Sequence, residues 1–208
     1  MATKIIKAMT NDSHNYSFKT IFVVSLLIIA LSVISYYLFD LKLAIHFHDS
    51  QIQWLYNIAE LFSLIAKFPI CLFLPFILFV FLPKKKVLDW KNYLFLFVCF
   101  FITSSVCWTL KVFLGRYRPE AYFEEGLYGF TLSGTRDHSQ HSMPSGHASV
   151  IATFLTALAL IEPKFAWLFY GLSFILSFAR IIVGAHYLSD ILLSWLIGFL
   201  IAVLSPES

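Results

Sequence analysis

Residues 144–150 read Pro144-Ser145-Gly146-His147-Ala148-Ser149-Val150, and the chain then stays mostly apolar as far as Ile161. A helix start is written into the first four. Ser145 suits the N-cap, where a side-chain oxygen accepts from the unpaired amides of the first turn. Gly146 leaves the backbone open to close approach by an anion. The apolar run that follows, about 147–162, is near the lower length limit for crossing a hydrocarbon core about 30 Å thick. Polar groups therefore stand at the mouth of a membrane helix, where they are costly unless they have a task.

Working outward, two more short apolar runs follow at 165–182 and 187–204, with a turn at Pro163 and a second break around Gly184. Three further runs precede: Ile21–Phe39, Leu61–Leu82 (interrupted by Lys67, Pro69 and Pro75) and Tyr93–Leu114. Six such runs predict an all-α, integral membrane bundle of six transmembrane helices, forming one domain over 1–208. The first run follows a long polar start without a small-residue cleavage pattern, so it reads as an uncleaved anchor. The sequence holds no internal repeat and no low-complexity tract.

Composition agrees. The chain is 59% hydrophobic and 13% charged, with a mean hydropathy of +0.78, whereas soluble domains are roughly a quarter charged. Its aromatic content of 18% suits lipid-facing side chains and interfacial belts. The net charge of +3 is not patterned for nucleic acid, since Lys84, Lys85 and Lys86 lie beside an apolar run, as topology selection arranges. Cys71, Cys99 and Cys107 all fall in apolar segments and imply no disulfide framework. With six spans, Lys4, Lys7, Lys19, Lys84, Lys85, Lys86, Lys91 and Lys164 share one side, and Lys42, Arg116, Arg118, Arg136 and Arg180 the other. Eight cations against five predict both termini in the cytoplasm, with the 115–143 loop and the 180–187 turn together outside.

Two other stretches join the first. Lys111-Val-Phe-Leu-Gly-Arg-Tyr-Arg118-Pro119 puts two cations seven residues apart, on one helix face if the helix continues. Such a pair suits a phosphate, which Arg grips bidentately. Alone, it also fits a stop-transfer end with snorkelling side chains. Arg180-Ile-Ile-Val-Gly-Ala-His186-Tyr-Leu-Ser-Asp190 sets His186 and Asp190 one helical turn apart. An Asp accepting from one imidazole nitrogen would leave the other free to attack, the orienting logic of a catalytic triad; the plain reading is an interfacial His–Asp pair. At 144–147 the free amides and positive helix end form an anion site. There His147 stands ready to protonate a leaving oxygen, although an ordinary capped helix with an interfacial His would look the same. The three stretches on one membrane face predict a shared phosphate site.

Together they resemble the type 2 phosphatidic acid phosphatase family, the lipid phosphate phosphatases, whose core is related to vanadium haloperoxidases. The family pattern of Lys, six residues and Arg-Pro, then Pro-Ser-Gly-His, then Ser-Arg, five residues, His, three residues and Asp is met from Lys111 to Asp190, except that Ala179 stands where the family usually has Ser. The motif-bearing core is thus about 111–190. The resemblance implies that Lys111, Arg118 and Arg180, helped by Ser145 and the Gly146 amide, hold phosphoryl oxygens. His186 would attack phosphorus to give a phosphohistidine, oriented by Asp190, and His147 would protonate the leaving alkoxide and then activate water. It implies hydrolysis of a lipid phosphate monoester or pyrophosphate without a cofactor or metal.

The expected partners are therefore a phosphorylated lipid and the bilayer, with no nucleic acid and no obligate protein partner. Gly115-Arg-Tyr-Arg-Pro followed by Gly126-Leu-Tyr-Gly-Phe looks like members of the bacterial inner membrane acting at the periplasmic face. Candidate substrates are a lipid A phosphate, phosphatidylglycerol phosphate, phosphatidic acid and polyprenyl pyrophosphate, and phosphotransfer between lipids stays open. His138, His141 and His147 beside Asp137 could bind zinc in principle, but a substrate-facing polar loop is the expectation. His46 and His48 read as interfacial. Glu60 and Lys67 are separated by a rise of about 10 Å and read as bundle-facing or snorkelling groups. A transporter, the reading from another class, would place its charges near the midplane.

Overall fold

The computed structural model describes residues 17–50, 52–65, 90–132, 134 and 137–205. Eight α-helices occur among them: α1 (Phe18–Leu38), α2 (Asp40–Ser50), α3 (Gln53–Ile65), α4 (Trp90–Leu114), α5 (Pro119–Glu125), α6 (Gly146–Ile161), α7 (Ala166–Ile182) and α8 (Leu188–Leu204). Short 3-10 turns at His138–Gln140 and Pro163–Phe165 complete the order. The spans Phe18–Leu38, Lys91–Leu114 and Pro163–Ile182 are long and apolar enough to cross a membrane, and Gly146–Ile161 and Leu188–Leu204 are shorter apolar helices. The expected second span begins within α3, and beyond Ile65 it lies outside the described residues, as does Lys67. A count of six spans thus stays an expectation, while the multi-pass all-helical membrane fold stands. His46 and His48, read as interfacial, belong to helix α2, where the His48 ring stacks on Phe123 of α5 at 3.8 Å.

The bundle is organised around α6, which packs on α4, α7 and α8, while α1 packs on α8 and α3 on α7. Small residues explain how α6 and α8 approach so closely. Ser145, Ser149, Thr153 and Ala157 recur every fourth position before and along α6, and Ser194, Gly198 and Ala202 do so on α8, all buried. In lipid such faces associate by close packing and hydrogen bonding rather than by expulsion of water. The hydroxyls are satisfied inside: Ser149 Oγ donates to the Ser145 carbonyl at 2.9 Å and Thr153 Oγ1 to the Ser149 carbonyl at 2.8 Å. Thr153 and Thr103 of α4 share a further bond of 2.8 Å. Cys99, Phe95 and Leu96 of α4 meet Ala157 and Ala202 in the apolar core beneath.

The outward faces tell the complementary story. Phe22, Leu26, Leu27 and Leu31 of α1, and Trp167, Phe174 and Ile175 of α7, are exposed. So continuous an apolar exterior is what acyl chains require and water penalises. Because α4 and α7 run one way and α6 and α8 the other, four helix ends gather at one end of the bundle: the last turn of α4, the first of α6, the last of α7 and the first of α8.

Candidate active site

Each gathered end brings one reactive side chain. Lys111 is in the last turn of α4, His147 in the first turn of α6, Arg180 in the last turn of α7, and His186 just before α8. With Arg118, Gly146, His138, His141, Trp108 and Val150 they line one cavity of about 610 Å³. The pairing of Lys111 with Arg118 arises differently from the helical spacing expected. The helix stops at Leu114 because Gly115 takes φ +56°, and a Cβ there would lie 2.2 Å from Thr131 Oγ1. Arg118 becomes the N-cap of α5 instead. The two cations still converge, through a shared acceptor: Lys111 Nζ donates to the His141 carbonyl at 2.6 Å and Arg118 Nη2 to the same oxygen at 3.3 Å. Arg118 Nε adds a bond to the His138 carbonyl at 3.1 Å, so the 138–141 turn holds both cationic heads at the cavity wall.

Arg180 reaches the cavity from α7 and donates to Ser63 of α3. Ser145 behaves as the expected N-cap, its Oγ accepting from the Ala148 amide at 3.4 Å. Ser145 is fully buried, and of the two residues Gly146 lines the cavity. The cap leaves the hydroxyl turned into the bundle. The Ser145 amide itself donates to Ser194 Oγ at 2.8 Å, which locks the α6 start onto α8.

The expected direct bond from His186 to Asp190 is also corrected. His186 Nδ1 donates at 2.8 Å to the Ser142 carbonyl, and Asp190 Oδ2 stands 3.6 Å away. Asp190 Oδ2 instead accepts from Ser142 Oγ at 2.6 Å and from the Tyr187 amide at 2.8 Å. Ser142 thereby bridges the pair, its hydroxyl on the carboxylate and its carbonyl on the imidazole. A carbonyl can only accept, so the proton is on Nδ1 and the lone pair on Nε2. The tautomer predicted for attack is present, with a different partner fixing it.

Burial, followed by the charges of Arg118, Lys111, Arg180 and His147, pushes His186 well below the ordinary histidine range. Such a shift favours the neutral imidazole. Burial lowers Arg118, against the opposing pull of Asp190 and Glu120. His138, exposed at the rim, is lowered chiefly by Arg118. The 138–141 histidines face the cavity, and His141 is set edge-on to Trp108 at 5.6 Å. Among the described residues no three His, Cys, Asp or Glu side chains converge as a ligand set for a metal ion.

Sequence reasoning missed what lies behind the site. Arg116, counted only as an outer-side cation, is fully buried between Asp40 and Asp190. Asp40 carries no signal in the sequence beyond being a lone acid at the break between two helices.

The sequence profile of the PAP2 superfamily matches residues 92–207. The chain belongs to the PAP2 superfamily. Among curated PAP2 relatives, the lipid A 1-phosphatase of Rhizobium etli is 34% identical over 100 residues, which is 47% of this chain and 42% of that protein. The match therefore spans less than half of the relative's length. Two solved structures share the fold at low identity. Aquifex aeolicus LpxE aligns with a TM-score of 0.62 and 18% identity, over 82% of this chain and 96% of that one. The first transmembrane PAP2 type phosphatidylglycerolphosphate phosphatase from Bacillus subtilis aligns with a TM-score of 0.67 and 17% identity, over 88% and 92%. The PAP2 match covers the motif-bearing core and all four helix ends that build the cavity.

Proposed function

We propose that the protein is a membrane lipid phosphatase that hydrolyses a phosphate monoester or pyrophosphate on a lipid headgroup through a phosphohistidine. The observation that carries this reading is the convergence of Lys111, Arg118, Arg180, His147 and His186 on one cavity at one end of the helix bundle. His186 Nε2 attacks phosphorus, and the bond to the lipid oxygen breaks in line with it. His147 delivers its proton to that departing oxygen. Water then attacks the phosphohistidine while His147 takes a proton back, releasing orthophosphate and restoring the neutral imidazole. The three cations and the first-turn amides of α6 offset the charge that grows on the equatorial oxygens. Lys111, Arg118 and Arg180 supply the positive charge that a metal supplies in other phosphatases, so no metal ion or cofactor enters a step.

The Rhizobium relative, together with an apolar cavity wall formed by Trp108, Cys107 and Val150, supports a phosphate carried on an acylated lipid. Lipid A phosphate, phosphatidylglycerol phosphate, phosphatidic acid and polyprenyl pyrophosphate remain the substrate panel, with transfer to a second lipid as the alternative outcome. The charge balance of the loops supports cytoplasmic termini and an outward-facing site, and the bacterial relatives support a bacterial inner membrane. Phosphate release by detergent-purified protein across that panel, without added divalent cations, tests the reading. Release from at least one lipid, lost in His186→Ala, is expected; no release from any of them overturns it.

A further inference from the structure

Behind the cavity, on the side away from substrate, the side chains of Asp40, Arg116 and Asp190 are wholly inaccessible to solvent. Arg116 Nη2 donates to Asp40 Oδ2 at 2.6 Å, and Nη1 donates to Asp190 Oδ1 and, at 2.6 Å, to Ser189 Oγ. Asp40 Oδ1 accepts from Ser35 Oγ at 2.7 Å and from the Ser189 amide at 2.9 Å, and Oδ2 accepts from Ser189 Oγ. Each of these contacts to either acid comes from a donor, the arrangement of two ionised carboxylates. Four aromatic rings close around the guanidinium, with centroids at 4.7 Å (Tyr187), 5.1 Å (Tyr36), 5.3 Å (Phe130) and 5.9 Å (Tyr128). Burying three charges is expensive, and the reaction chemistry just described makes no use of Arg116 or Asp40.

Their sum gives them a use. Two carboxylates and one guanidinium leave one net negative charge, and the end of the unit nearest the nucleophile is Asp190 Oδ2, 3.6 Å from His186 Nδ1. When Nε2 bonds to phosphorus and Nδ1 keeps its proton, the ring becomes cationic. The other charged or titratable groups around it are Lys111 and Cys107 from α4, Arg118 at the start of α5, His138 and His141 of the outer turn, His147 from α6, Arg180 from α7 and the adjoining Tyr187. All of these repel a positive ring or leave it unaided. We propose that Asp40 and Arg116 are positioning residues for the nucleophile, which act through Asp190. Arg116 holds the carboxylate in place, and Asp40 returns the negative charge that Arg116 would otherwise cancel. The unit then stabilises the imidazolium of the phosphohistidine.

This inference rests on the phosphohistidine reading, and charge-changing variants separate the two. Asp40→Asn takes the unit to zero, Arg116→Gln takes it to two negative charges, and the double variant returns it to one. A unit charge at roughly 10 Å in an effective dielectric near 20 is worth about one pKa unit, or about tenfold. Asp40→Asn is therefore expected to lower kcat about tenfold with KM nearly unchanged, and to move the acidic limb of kcat to lower pH. Arg116→Gln is expected to move that limb to higher pH, and the double variant to bring limb and kcat back toward wild type. The two amide side chains that the double variant introduces can hydrogen-bond each other, so it carries the test where a single variant does not fold. Arg116→Lys, which keeps the charge, is expected to keep the wild-type limb.

Limbs that do not shift in opposite directions, or a folded double variant no better than the worse single, overturn the proposal. If His186→Ala is inactive while Asp40→Asn matches wild type, only this inference fails. An active His186→Ala removes the phosphohistidine reading itself.

Discussion

Gly198 on α8 offers a quantitative check on the helix contact that carries the site. A Cβ built there would stand 2.6 Å from the Thr153 amide nitrogen, 2.7 Å from Ala152 Cβ and 2.9 Å from the Ala152 carbonyl carbon. Ordinary carbon contacts are about 3.5–4.0 Å, so α6 and α8 must part by about 1 Å to admit one methyl group. Backbone atoms of the facing helix are the obstacle, and no rotamer change relieves them. Overpacking of this kind costs about 1–3 kcal/mol, against a helix-propensity gain of about 1 kcal/mol for replacing Gly by Ala. The expected net loss for Gly198→Ala is about 0–2 kcal/mol. Gly171 on α7, where an added Cβ meets nothing within 4 Å, is the matched control, since only the propensity gain applies and Gly171→Ala should be neutral or stabilising.

Activity should respond more than stability does. His147 and Asp190 are in the first turns of the two helices being pushed apart, and a misplacement of about 1 Å can cost about a hundredfold. Thermal unfolding in detergent, followed by tryptophan fluorescence, should show Gly198→Ala melting a few degrees below wild type and Gly171→Ala at or above it. Phosphate release should fall at least about tenfold in the first and stay unchanged in the second. If Gly198→Ala melts higher and works normally, the two helices do not touch as described and the positioning of the site fails with them.

Other outcomes follow from the site. His186→Ala should abolish turnover, and His147→Ala should cripple it while still being phosphorylated by a substrate with a good leaving group, which intact-protein mass measurement detects. Vanadate, which takes the five-coordinate geometry of the transition state, should inhibit, and EDTA should not; loss of activity to the chelator would return the 138–141 histidines to a metal site. Because burial and neighbouring cations depress His186, the unfolded chain takes up a proton near pH ~6.5 that the folded one refuses. That contribution to stability is full above this pH and declines as pH falls toward the folded value; equal pH slopes in unfolding of wild type and His186→Gln would contradict it. An impermeant thiol reagent on intact cells should label a single cysteine at 130 and not one at 85, and the reverse pattern would invert the topology.

Much of the site was legible because its chemistry is local in sequence. Pro144–His147 announces a capped helix, and Lys111, Arg118, Arg180 and His186 are polar groups at membrane depth, which few other purposes explain. What escaped is long-range. Asp40 and Asp190 are 150 positions apart in the chain, and only the packing of α1 on α8 brings them to Arg116. The bond from Ser142 to Asp190 spans 48 positions and leaves no spacing to read. Arg116 was masked by its company, for a cation two residues from another at a membrane surface looks like topology. The break at Gly115 was legible in principle. The helical face drawn from Lys111 to Arg118 ran through it, although Gly is a poor helix former and free to take positive φ.

The partner chosen by His186 has a consequence for how this protein tolerates change. Its Nδ1 proton is held by the oxygen of a peptide group, and every residue type carries that oxygen. No codon substitution at position 142 can delete the acceptor, whatever it does to the hydroxyl beside it. Alanine scanning of this neighbourhood would therefore report on the carboxylate and pass over the contact that fixes the tautomer. Probing it calls for backbone chemistry, such as an amide-to-ester exchange that weakens the carbonyl as an acceptor, or for an insertion that shifts the loop. Heritable drift is buffered at the atom on which the nucleophile depends, and fragility moves to the length of the loop that delivers it.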